Sequence, residues 1–262
     1  MRNSLFAGLI LGMSMLAGHP QTTLYELFFL FILTLWYFFS ELKKKEKQVR
    51  IPKFLTAALI SVIIGAGIFA VQLLPSQELA DLAQRNDYTY EEASEGSMQF
   101  GQILSSVVPK IYGFTNGSGE TEVPFFGGPY YFYWDTGYYF GIAALILAIF
   151  ALLTRLKERK IAFLLAIAVF SFLYALGDNF FIWKLFYNLP LFGTFRFPAR
   201  IIFYLVFAFA LLAGFGFDRL LQSQIKKQKL FIAALLPLLI SLLTAAGGIS
   251  GLVGAPSGAS SE

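Results

Sequence analysis

Six stretches of 17 to 21 consecutive, mostly apolar residues, separated by polar segments, constrain this chain more than any other feature. They cover residues 24–40, 54–74, 138–154, 161–177, 201–217 and 230–246, the last with an apolar extension towards 253. A hydrocarbon layer of about 30 Å takes roughly 20 residues of helix to cross, and no backbone N–H or C=O inside it can be left to water. The runs therefore predict membrane-spanning α-helices. A seventh run, 5–17, is shorter and reads as a thin span that forms a hairpin with the next. Arg2 in front of it resembles the start of a signal peptide, but Gly18-His19-Pro20-Gln21 is a poor cleavage site. Composition agrees: 57% of residues are hydrophobic, only 14% are charged, and the mean hydropathy of +0.65 excludes an ordinary water-soluble domain. The expected fold is all-α and polytopic, with about seven transmembrane helices over residues 1–254, short interfacial helices in the outer loops, and a polar tail at 255–262.

Charge orients these spans. Lys43, Lys44, Lys45, Lys47, Arg50 and Lys53 follow the second span, Arg155, Lys157, Arg159 and Lys160 the fourth, and Arg219, Lys226, Lys227 and Lys229 the sixth. With Arg2 they leave only Arg85, Lys110, Lys184, Arg196 and Arg200 for the alternate side. Basic loops stay cytoplasmic, so 75–137 and 178–200 are the outer loops. The same clustering removes nucleic acid as a partner, because the net charge of +4 lies in short inter-span groups rather than on one basic face. With no Cys and one His, neither a metal nor a metal-based cofactor is expected.

The outer loops carry structure of their own. A short helix is expected at 76–85 and another at 98–108, where Ile103, Leu104, Val107 and Val108 share a face turned to the membrane surface. A turn-rich stretch at 113–119 precedes an aromatic block at 125–140. In the second loop, Phe180, Phe181, Ile182, Trp183, Leu185 and Phe186 surround Lys184, the pattern of an interfacial or re-entrant helix.

Phe195-Arg196-Phe197-Pro198-Ala199-Arg200 stands at the outer start of the sixth span. Pro198 suits the first turn of a helix, whose free N–H groups would converge with Arg196 and Arg200 on an anion such as a phosphate. Alternatively both arginines reach to lipid headgroups. His19 and Glu26 offer a His–carboxylate pair for proton transfer, or a tight connection in which Thr22 or Thr23 caps the next helix. Asp87 and Glu91 lie among Tyr88, Tyr90 and Glu92, a mixture that suits sugars, though also a solvated acidic loop. Tyr130 to Trp134 reads as an aromatic belt or a binding platform, Asp135 or Thr136 as a cap of the fourth span, and Asp178 with Asn179 as the close of the fifth.

Several of these motifs occur in a consistent order: Gly18-His19-Pro20-Gln21, Leu73-Leu74-Pro75 with Glu78 and Arg85, Pro109-x-x-Tyr112-Gly113, Tyr138-x-Phe140-Gly141, Phe195 to Arg200, and Leu212-Ala213-Gly214-x-Gly216. Together they resemble the YfhO-like bacterial membrane proteins, a branch of the GT-C type glycosyltransferases. The resemblance implies a multi-pass enzyme of the inner (plasma) membrane that takes a sugar from a polyprenyl-phosphate carrier and attaches it to a cell-envelope polymer on the outer face. It implies that Arg196 and Arg200 hold the carrier phosphate, that the acceptor approaches 75–137, and that no cofactor is used. It also implies that the family's N-terminal spans, with the catalytic carboxylate of the first outer loop, fall outside this chain; the catalytic residue here is left unassigned. A non-catalytic membrane scaffold and a transporter subunit in envelope biogenesis are the alternatives, the transporter being disfavoured by spans almost free of ionisable groups.

Overall fold

The computed structural model describes residues 2–42, 50–82, 88–109, 111, 114–115, 121–122, 137–222 and 227–245. It divides into two compact units, Met1–Asp87 and Tyr88–Glu262. Asp87, Arg85, Tyr112, Gly113, the aromatic block up to residue 136, the basic run at 43–49, Lys226 and the tail lie outside the described residues.

The first unit holds α1 (Arg2–Leu16), α2 (Pro20–Leu42) and α3 (Arg50–Leu82). Ser4, Gly8, Leu11 and Gly12 recur at helical spacing and are the buried face of α1. They meet α3 so closely that a Cβ added to Gly8 would stand 2.7 Å from Ile64 Cβ, and one on Gly12 2.7 Å from Ile68 Cβ. Ser61 Oγ donates to the Ser4 carbonyl across this seam at 3.1 Å. Lipid removes most of the hydrophobic drive between helices, so small residues that allow backbone approach hold such a pair together. The short helix expected at 76–85 is a continuation of α3, which passes through Pro75 and ends at Leu82. The flanking Ser-Gln-Glu-Leu-Ala sequence carries good helix formers, and one missing N–H does not stop them.

The second unit contains α4 (Tyr90–Ala93), α5 (Ile142–Arg155), α6 (Arg159–Ala175), α7 (Phe181–Tyr187), α8 (Ile202–Leu221) and α9 (Lys227–Ala245). α8 is central, packed against α5 and α6, and α9 packs against α5. Ala148, Ile161, Leu164, Leu212 and Ala213 form the shared core, and a Cβ on Gly216 would fall 1.9 Å from the Leu147 carbonyl oxygen. At one end of this bundle Arg155 acts as a clasp: it bonds both oxygens of Glu158 at 2.7 and 3.0 Å, Asp218 at 2.9 Å and the Phe215 carbonyl at 3.3 Å. Lys229 donates to the Leu153 carbonyl beside it.

At the other end lies a layer of short elements. The helix expected at 98–108 is a 3₁₀ helix, Phe100–Ser106. Its tighter, three-residue repeat separates the apolar positions: Val107 is buried, whereas Ile103 is 48% exposed and the inner side is Gln102, Ser105 and Ser106. Two residue pairs, Phe114–Thr115 and Thr121–Glu122, form an antiparallel β-ladder in register Phe114 to Glu122.

The architecture is thus helical. Four helical stretches are long and apolar enough to cross a membrane: Pro20–Ser40, Pro52–Leu73, Pro198–Leu221 and Lys227–Thr244. They mark the chain as a helical membrane protein. α1, α5 and α6 form where the apolar runs predict helices, but with 15, 14 and 17 residues they are shorter.

Candidate functional site

The site grows from the start of α8. Phe197 adopts a left-handed backbone, φ 62° and ψ 72°, a conformation that costs a side-chain-bearing residue on the order of 1–3 kcal/mol. The reversal sends the chain into the 3₁₀ turn Pro198–Ile201 and on into α8. The Arg200 N–H bonds the Phe197 carbonyl at 3.1 Å, and the Ile202 N–H bonds that of Ala199. These two N–H groups are therefore satisfied within the turn, by the Phe197 and Ala199 carbonyls, instead of converging on an anion as expected.

The arginines themselves are brought together. Their guanidinium carbons lie 5.2 Å (Arg196) and 4.6 Å (Arg200) from the Phe197 ring centroid, and Arg196 is also 5.5 Å from the Tyr88 ring. Aromatic faces attract guanidinium while leaving its edge N–H groups available for hydrogen bonds. Arg196 pairs with Glu95, both side chains being partly exposed.

Glu95 belongs to the turn Ser94-Glu95-Gly96-Ser97, and this turn locks the layer. Gly96 has φ 72°, and a Cβ there would come within 2.3 Å of Phe197 Cδ1, so only glycine lets the ring lie flat against the backbone. Ser97 Oγ accepts the Asp178 N–H at 2.9 Å. Ser94 Oγ accepts the Trp183 Nε1–H at 2.9 Å and donates to the Tyr90 carbonyl at 2.7 Å. Met98 N–H bonds the Ala175 carbonyl at 2.9 Å, and Asn179 Nδ2 donates to the Met98 carbonyl at 3.0 Å. Gly177, at φ 55°, lies so close that a Cβ would be 2.7 Å from Pro198 Cγ. Within the second unit, residues 88–98 of the first outer loop and 177–198 of the second are thus one packed layer.

α4 opens this layer through a capping box. Thr89 N–H bonds Glu92 Oε2 at 2.9 Å and Glu92 N–H bonds Thr89 Oγ1 at 3.3 Å. The Thr89 hydrogen bonds, backbone first, hold the Glu92 carboxyl below its ordinary range. Burial, and then a hydrogen bond to Asp178, push the Tyr90 hydroxyl above its usual value. Tyr90 meets Tyr187 edge to face at 5.2 Å, and the Tyr187 hydroxyl bonds the Tyr88 carbonyl at 2.9 Å.

Of the residues expected in a polar pocket, Asp87 lies outside the described residues and Glu91 is exposed on α4. His19 and Glu26 belong to the first unit and have separate partners. The His19 ring, not Thr22 or Thr23, caps α2: its Nδ1 accepts the Thr22 N–H at 3.2 Å, because Pro20 takes the first helical position and makes His19 the cap. Glu26 accepts from Ser14 Oγ. Asp178 and Asn179 do close α6, through the 3₁₀ turn Gly177–Asn179, and each also reaches across to residues 97–98. Among the described residues no group of three His, Asp or Glu is gathered as metal ligands would be.

Glu95, the Phe197 platform and the Tyr90–Asp178 pair are absent from the sequence reading. Ser-Glu-Gly-Ser is a turn signal, but nothing local says what the turn docks against. The chain matches no family model, no curated protein and no solved structure, so the two arginines on Phe197 stand on this chain's own geometry.

Proposed function

We propose that this chain is part of, or a divergent member of, a YfhO-like GT-C type membrane glycosyltransferase, using a polyprenyl-phosphate sugar to modify a cell-envelope polymer. In this reading it resides in the plasma membrane of a bacterium. α1, α5 and α6 join the four longer helices as spans, and the Arg155 end faces the cytoplasm. The single observation that supports it best is that Arg196 and Arg200 are both held against one aromatic ring, Phe197, at the start of a span. A lipid phosphate sits at that depth, and guanidinium edges bind phosphate through paired hydrogen bonds. α7 suits the same location, since Phe181 and Leu185 are exposed on one side while Trp183 is buried on the other.

A non-catalytic scaffold is the second reading, favoured by the Glu95–Arg196 pair, which gives Arg196 an acidic partner within the protein. Titration of the purified protein with undecaprenyl phosphate, followed by thermal shift and photo-crosslinking, separates the two. Phosphate holding predicts that Arg200→Lys weakens binding nearly as much as Arg200→Ala, about tenfold for one charge-assisted contact, because an ammonium lacks the two-pronged edge. Wild-type protein that shows no phosphate-dependent binding, or an Arg200→Lys variant that binds like wild type, removes the reading.

A further inference from the structure

Two residues other than glycine have a left-handed backbone among the described residues: Phe197 and Leu191, the latter with φ 73°. Glycine and asparagine tolerate that conformation, whereas the Cβ of other residues crowds the following carbonyl oxygen. Leu191 also leaves its side chain 65% exposed. In water a leucine there would be unfavourable twice over, in its backbone and in its apolar surface.

The turn is nevertheless built to hold it. The Leu189 N–H bonds the Phe186 carbonyl at 2.8 Å, and the Phe192 N–H bonds the Leu189 carbonyl at 3.3 Å. Thr194 Oγ1 donates to the Leu191 carbonyl at 2.7 Å. Phe192 meets Phe186 edge to face at 5.1 Å, and a Cβ on Gly193 would stand 2.7 Å from the Tyr187 carbonyl oxygen. Phe192 and Gly193 thus fasten the turn to the end of α7, and Leu189, Pro190 and Leu191 are left exposed.

α7 shows the same division. Phe181 and Leu185 form an exposed apolar stripe that Leu189 continues at the same four-residue spacing. Lys184 and Asn188 form an exposed polar stripe beside it, tied by the Asn188 Nδ2 bond to the Lys184 carbonyl at 2.8 Å, and Trp183 is buried behind. Polar and apolar stripes side by side on the exposed half of a helix suit the boundary between water and hydrocarbon, where a lysine stem reaches up to the headgroups. The connection to α8 puts the turn at that boundary. Pro198, which opens a helical stretch long enough to cross a membrane, follows Leu191 by seven residues, and these include the 3₁₀ turn Phe192–Thr194. Leu191 therefore stays within roughly 25 Å of the point where that span begins.

We propose that Leu189-Pro190-Leu191 is a lipid-insertion wedge. Its two leucines, with Phe181 and Leu185, enter the acyl chains of the leaflet at which the Pro198–Leu221 stretch begins, while Lys184 and Asn188 stay at headgroup level. Hydrocarbon removes the cost of the exposed leucine and gives a reason for a large side chain at a left-handed position. The wedge is a second, non-spanning attachment to the bilayer, and it requires neither the phosphate reading nor a particular orientation of the chain.

The chain has no cysteine, so an environment-sensitive fluorophore can be placed at one position at a time. The purified full chain in phosphatidylcholine vesicles is labelled at Leu191→Cys, at Leu185→Cys or, as a water-facing reference, at Glu91→Cys on α4. Two quenchers are compared, phosphatidylcholine brominated near the top of its acyl chains and iodide in the water. Leu191→Cys and Leu185→Cys should be quenched several-fold more by the brominated lipid than Glu91→Cys, and several-fold less by iodide. A Leu191→Cys label quenched by iodide as fully as the Glu91→Cys label overturns the wedge. Protection of Leu191→Cys from both quenchers overturns it as well, since that would put a protein surface, a second copy of this chain included, over the leucines. If Leu191→Cys fails to fold, Leu189→Cys carries the same comparison, with the same results for and against.

Discussion

The two ends of the second unit's helical bundle use arginine in opposite ways. At one end Arg155 has its donors engaged by Glu158, Asp218 and the Phe215 carbonyl, with the Phe215 ring 5.4 Å away. At the other, Arg196 and Arg200 are supported by Phe197 and Tyr88 faces, with Glu95 the acid paired to Arg196. An arginine ringed by carboxylates is a fastener joining α5 to α8. An aromatic face orients the guanidinium laid on it, and an oriented guanidinium can grip an anion through paired N–H groups. The same residue type thus serves packing at one end and, in the proposed function, phosphate holding at the other, and the difference lies in what surrounds it.

Orientation offers the sharpest way to break this comparison, because its outcome is all or none. The chain has no cysteine, so single replacements report cleanly. With the Arg155 end cytoplasmic, Asn179→Cys should label with a membrane-impermeant thiol reagent in intact cells and Lys157→Cys should stay unlabelled until the cells are opened. Labelling of Lys157→Cys from outside would place the ring-supported arginines in the cytoplasm and end the proposed role.

Next in size is Gly177→Ala. A Cβ there meets Ser97 Oγ at 1.9 Å and Pro198 Cγ at 2.7 Å on a backbone with φ 55°. Denaturant unfolding in detergent should show a loss of about 1–3 kcal/mol, together with weaker binding of undecaprenyl phosphate, because the turn at 94–97 positions the arginine pair. A variant of unchanged stability and affinity would mean that the arginine pair does not depend on this packing.

Arg155→Ala is expected to have the smaller effect, about 1 kcal/mol, since its carboxylate partners are roughly half exposed and water screens them. Phosphate binding should be untouched. The pH profile provides a second readout. The Arg155 hydrogen bond holds the Glu158 carboxyl below its ordinary range. Its contribution is complete above an unfolded pKa of about 4.3 and is lost as pH falls through the lowered folded value. Thermal denaturation between neutral pH and about pH 3 should therefore show an acid-side loss that shrinks in Arg155→Ala. The Glu92 part, which depends on Thr89, should remain. An acid limb identical in both proteins would show that the clasp contributes nothing.

Much of the fold was legible because helix formation in a membrane is a local property. Each apolar run produced a helix, and Pro198 opens the turn into α8 as its lack of an N–H requires. Reading failed where the repeat changed or a side chain acted on a neighbour. Residues 100–106 wind as a 3₁₀ helix and so expose Ile103, α3 carries through Pro75, and His19 takes the capping role assigned to the threonines.

By itself the sequence determined that the chain is helical and apolar enough for a membrane, and that Arg196 and Arg200 stand four apart around Phe197 and Pro198. Periodicity, span length and charge clustering depend on neighbours within a few residues, so one chain reveals them. Only the tertiary structure decided that Glu95 pairs with Arg196, that Gly96 receives Phe197, and that Ser97 fixes Asp178 across a separation of about 80 residues. Such contacts follow from which surfaces fit when helices pack and from where two reversed backbones, Gly96 and Phe197, meet, and that complementarity has no signature in local sequence.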